Sequence, residues 1–62
     1  MNFITVTEST GPVVIDVYNI AVVRTINTQT TIELYKGQDV IVTEAVADIE
    51  ALITQARNAA IV

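Results

Sequence analysis

Apolar and polar residues alternate from Thr31 to Tyr35, with Ile32 and Leu34 on one side, and a period of two predicts a strand with a single buried face. Lys36-Gly37 follows, with glycine able to take positive φ in a two-residue turn, and Asp39 to Val42 resumes the strand pattern, so the unit reads as a tight hairpin. Beyond Val42 the spacing lengthens to that of a helix, with apolar residues at Ala45, Ile49, Leu52, Ile53 and Ala56. Thr43 is placed to cap this helix, and Glu44 and Asp48 suit the positive end of its dipole, so it is predicted to start at about Glu44 and to cover the hairpin. Ile32, Leu34, Val40 and Val42 then pack beneath Ile49, Leu52 and Ile53.

The upstream residues supply further strands. Ile4 and Val6 alternate with Phe3 and Thr5, giving an opening strand with Ile4 and Val6 inward. Glu8 to Pro12 has turn chemistry, with Gly11 free to take positive φ and Pro12 removing a donor from the edge of the next strand, Val13 to Asp16. Asp16 to Asn19 carries side chains that bond their own backbone, which predicts a bend before a third strand, Ile20 to Asn27. The adjacent valines Val22 and Val23 break strict alternation there, and a β-bulge would put Ile20 and Val23 on one face. Asn27-Thr28-Gln29 is the next turn. The fold class is therefore α+β: an antiparallel meander of four to five strands with one C-terminal helix packed on one face, a single domain over residues 1–62.

Size and composition limit what such a chain does. A domain of 62 residues is marginal, because one near this length buries only ~60% of its unfolded surface. Cysteine and histidine are absent, which removes disulfides, thiolate and imidazole metal ligands, and the side chains most used as nucleophile or near-neutral proton shuttle. Help from a partner is the remaining option. Only 16% of residues are charged, against roughly 25% in ordinary soluble domains, so part of the surface is expected to be covered. The net charge is −4 and the cations Arg24, Lys36 and Arg57 are dispersed, which disfavours nucleic acid as a partner. No apolar run is long enough to span a membrane and no signal-peptide pattern opens the chain, so a cytoplasmic protein with no membrane partner is expected.

Candidate chemistry is sparse, and neither an enzyme nor a cofactor is expected. Asp39, Glu44 and Asp48 could offer oxygen ligands to a divalent ion, but acidic residues at a helix start account for themselves, so no metal is assigned. Asp16 and Glu33 read as solvated strand carboxylates. Tyr18 and Tyr35 could stack on bases or a sugar; without neighbouring cations they are assigned to an interface.

The strand Ile4-Thr5-Val6-Thr7, Gly11, Asp16 four residues before Ile20, Val23, the alternation through Ile32 and Leu34, Gly37, Val40, Val42, and Glu44 with Val46 and Ile49 together resemble the FlbD family of small flagellar and swarming-motility proteins. The resemblance covers about residues 4–53 and implies a small accessory or regulatory protein without catalytic residues. The chain is also similar in length and element order to the carbon-storage-regulator RNA-binding proteins. Where those carry Arg at the end of the last strand, this chain has Val42-Thr43-Glu44-Ala45-Val46, so RNA binding is not carried over.

The expected function is a non-catalytic accessory or interaction module acting as a homo-oligomer, most simply a dimer. The alternatives are a small phage or mobile-element structural protein and, less favoured, a nucleic-acid-binding regulator. One helix covers one side of a sheet, so Phe3, Val14, Val23, Tyr35 and Ile41 are assigned to the uncovered side as the candidate oligomer interface. Ile61 and Val62 join them from an apolar C-terminal tail, for which fraying and docking on a neighbouring subunit both remain open.

Overall fold

The computed structural model describes residues 2–61, with side chains described for residues 2–58. The strands are β1 (Phe3–Glu8), β2 (Gly11–Asp16), β3 (Ile20–Ile26), β4 (Gln29–Leu34) and β5 (Val40–Val42), and the C-terminal helix is α1 (Val46–Ile61). A single 3-10 turn, Val17–Asn19, joins β2 to β3. All pairings are antiparallel, as expected for a meander, but the strands divide into two sheets, β1-β2 and β3-β4-β5. The sheets meet where Thr43 donates its N–H to the Thr7 carbonyl at 2.9 Å, next to the end of β5.

Nearly every element contributes to one core. Ile4 and Val6 from β1, Ile15 from β2, Val17 from the 3-10 turn, Ile32 from β4, Val42 from β5 and Ile49 from α1 are buried together. Val13, Ile20, Val23, Leu34, Val40, Leu52, Ile53 and Ala56 pack around them. The helix thus lies over the inner sides of both sheets, touching β1 and β3. Burial of branched aliphatic side chains supplies the main driving force, at roughly 25 cal/mol per Å².

The irregularity foreseen in the third strand is present as a register shift between Ile20 and Val22. Ile20 pairs with Leu34 and Val23 with Ile32, so both turn toward the core, while Val22, opposite Glu33, turns away. An extra residue resets alternation, and here it repairs a sequence whose apolar positions are out of phase.

Two local expectations are corrected. The β4–β5 connection is not a two-residue turn: pairing stops at Ile32 opposite Val40, and residues 35–39 form a wider loop. A two-residue turn at Lys36-Gly37 would set Ile41 opposite Ile32 and so carry Ile41 into the core; the wider loop brings Val40 and Val42 to the inner face instead. Gly37 does take positive φ, at 113°. The helix starts at Val46 rather than Glu44, and its first bonds return to the Ala45 carbonyl, from the N–H groups of Asp48 at 3.0 Å and Ile49 at 3.1 Å. Thr43 and Glu44 are not caps because both are engaged with Thr7.

Candidate interaction surface

The sheet faces turned away from α1 carry apolar side chains in the open. On the β1-β2 hairpin Phe3, opposite Asp16, is 49% exposed and Val14, opposite Thr5, is 62% exposed. On the three-stranded sheet Val22, Ile26 and Ile41 are 37%, 40% and 49% exposed. Ile41 lies beside Thr31, which lies beside Arg24, so a row crosses all three strands. Thr31 is buried although it faces away from the helix. A central strand shields its side chains with those of both neighbours, here Arg24 and Ile41.

Arg24 and Glu33 form an ion pair at 2.7 Å, diagonally across β3 and β4. Its partners are partly solvated, so it steers the face's polarity more than it stabilises the fold. Glu33 is therefore committed to Arg24, and Asp16 accepts from the Tyr18 N–H at 3.0 Å; the two carboxylates serve separate structural contacts.

Tyr18 and Tyr35, 70% and 73% exposed, border one shallow cleft of about 410 Å³ with Asp16, Asn19 and Lys36. Asn19 builds this cleft. Its side-chain amide donates to the Lys36 carbonyl at 2.8 Å and accepts from the Lys36 N–H at 3.0 Å, while its backbone carbonyl accepts from the Tyr35 N–H at 2.9 Å. The amide imitates one residue of a neighbouring strand and fixes the 3-10 turn against the β4–β5 loop.

Among the candidate interface residues, Phe3, Val14, Tyr35 and Ile41 are exposed as assigned, although they belong to different sheets and a loop rather than to one surface. Val23 is corrected: the register shift turns it inward, where it is half-buried against the core. Ile61 is the last residue of α1, but its side chain lies outside the described residues, as does Val62 altogether. Val22 and Ile26 were not among the assigned positions. Taking the bulge at face value identifies both, because a shift that turns Val23 inward sends Val22, and with it Ile26, outward.

Glu44 ties two distant parts of the chain together. Its carboxylate accepts from the Thr7 N–H and from Thr7 Oγ1, both at 2.9 Å. The Thr7 backbone bond is the main influence holding its pKa below the ordinary value; partial desolvation opposes it, and a bond from its own backbone and the Thr7 hydroxyl add to it. Among the described residues no three acidic side chains gather as a metal site, and no helix is long and apolar enough to cross a membrane. No protein-family model matches the chain, and neither a curated protein nor a solved structure is significantly similar to it.

Proposed function

We propose that this chain is a non-catalytic accessory module that works by self-association, its copies covering one another's apolar sheet surface. Val22, Ile26 and Ile41, on the sheet face opposite the helix and around the Arg24–Glu33 pair, carry this reading, with Phe3 and Val14 similarly open on the hairpin. Single exposed apolar residues are ordinary on a monomer, whereas several grouped on one face act as contact sites. The low charge content of the chain as a whole supports the same reading. So does the accessory role implied by the FlbD-like pattern.

A domain this small has much to gain from a second copy. Apolar area covered at roughly 25 cal/mol per Å² adds directly to the stability of each folded chain, so assembly and folding are coupled. The test is light scattering across the micromolar range together with thermal melts. A species heavier than 6.7 kDa and a Tm that rises with protein concentration are expected, with Ile41→Lys dissociating the assembly. A persistent monomer whose stability is unchanged by Ile41→Lys overturns the reading.

A further inference from the structure

We propose that the free edge of β3, with the groove between it and α1, is a self-pairing site that takes β3 of a second copy in antiparallel register. This rests on the self-association reading and names a second surface for it, a sheet edge distinct from the face that holds Ile41.

Each sheet has two edge strands, and β1 and β5 turn toward one another where Thr43 bonds Thr7. Of the two left outermost, β2 and β3, only β3 is built to accept another strand. β2 pairs with β1 alone and contains Pro12, which has no N–H to offer a newcomer. β3 pairs with β4 alone and holds neither proline nor lysine, the residues that usually blunt an edge. Its turn fixes which groups are on offer. Asn27 and Thr28 have φ of 50° and 65°, the signature of a type I′ turn, which makes Ile26 and Gln29 a hydrogen-bonded pair. Bonded and non-bonded pairs alternate in an antiparallel ladder, so Arg24 bonds to Thr31 while Val23 and Thr25 direct their N–H and C=O groups outward.

Beside this edge lies a groove of about 350 Å³ lined by Val23, Val46, Glu50, Ile53, Thr54 and Arg57. Glu50 and Arg57 are two helical turns apart on one side of α1, at equal distances from the midpoint of Ile53-Thr54, and neither forms an ion pair among the described residues. A two-fold axis near that midpoint lays two α1 helices antiparallel and brings each copy's Glu50 to the other's Arg57. The charge pattern is therefore complementary to itself under the operation that also pairs two β3 strands antiparallel. This complementarity identifies a second copy as the occupant. Charge also disfavours one alternative register. Setting Val23 opposite Val23 places Val22 opposite Arg24, whereas setting Val23 opposite Thr25 brings Arg24 opposite Arg24, and like charges directly across a ladder destabilise it.

Sedimentation and amide hydrogen exchange on the intact chain test the proposal. The Val23 and Thr25 amides are expected to be protected in the assembly and to exchange rapidly once it is diluted to monomer. Glu50→Arg should weaken association at least about fivefold, and the double variant Glu50→Arg/Arg57→Glu should restore it to within about twofold, since the swap re-forms both cross-copy pairs. Thr25→Pro removes an outward donor without touching the β4 ladder, so it should stay folded by circular dichroism yet associate weakly. The proposal is overturned if Glu50→Arg and Thr25→Pro associate like the parent chain and Val23 and Thr25 exchange rapidly in the assembly. Should Ile41→Lys still dissociate that assembly, self-association stands and only the edge is excluded. A parent chain that is monomeric at every concentration removes self-association itself. Protection of Val23 and Thr25 that appears only on adding a different extended peptide overturns the second copy as occupant.

Discussion

Glu44 and Thr7 are 37 residues apart in sequence, yet the carboxylate of one accepts both the backbone N–H and the hydroxyl of the other. Together with the Thr43 N–H on the Thr7 carbonyl, these bonds join the hairpin to the segment that leads into the helix. Thr7 has its donor, acceptor and side chain all engaged across the junction.

Acid should loosen that junction. Because the Glu44 pKa is lowered in the folded protein, its contribution is fully present above the ordinary value of 4.5 and is lost as pH falls through the lowered folded value. Urea denaturation between pH 6 and 3, on the order of one titration range, should show stability falling with acid in the parent chain and a shallower fall in Glu44→Gln. Identical pH profiles for the two would exclude Glu44 as a contributor.

Thr28 occupies the left-handed region that a β-branched residue rarely adopts. Asn-Gly is the favoured pair for this turn, so Thr28→Gly should stabilise the protein by about 1 kcal/mol. A higher urea midpoint with an unchanged slope is the expected observation; a lower midpoint would mean that the bond from Thr28 Oγ1 to the Asn27 carbonyl outweighs the strain.

Gly37 should behave in the opposite way. A Cβ placed there meets only Leu34 Cδ1, at an ordinary 3.6 Å, so the cost of substitution comes from the backbone rather than from a clash. Gly37→Ala should destabilise by roughly 1 kcal/mol, and Gly37→Val by that or more, because β-branching is less compatible still with positive φ. Thermal melts of the two variants check the order.

Within α1, Ile49 is completely buried whereas Leu52 is only partly so. Ile49→Ala should cost about 2–5 kcal/mol and Leu52→Ala fall at or below the low end of that range. For a domain with a total stability of only about 5 kcal/mol, the first variant should be largely unfolded at room temperature. Circular dichroism of both distinguishes the outcomes, and equal losses would mean that the helix is rotated about its axis.

Much of the fold was legible because one local rule decided each element. Ile4 and Val6 alternate with exposed neighbours, Asp16 bonds the Tyr18 N–H to turn the chain, and Ile20 with Val23 demands an extra residue in β3. What escaped depended on contacts distant in sequence. Lys36-Gly37 looks like a tight turn, but Asn19 holds the backbone of Tyr35 and Lys36 against the 3-10 turn, and the loop widens to satisfy it. Glu44 resembles a helix-start acid until Thr7, from the other end of the chain, takes its carboxylate. The surface was half legible for the same reason: Phe3, Val14 and Ile41 follow alternation, whereas Val22 and Val23 exchange faces through the bulge.

Pro12 has a consequence for how far an assembly can grow. A sheet open on both sides is a template for endless strand addition, the geometry of fibrils. With β2 blunted by its proline and β1 and β5 turned toward one another at Thr7 and Thr43, the proposed pairing leaves β3 as the favoured site of strand addition among the described residues. Two chains paired as proposed would cover each other's favoured edge, so growth by strand addition would end at a pair.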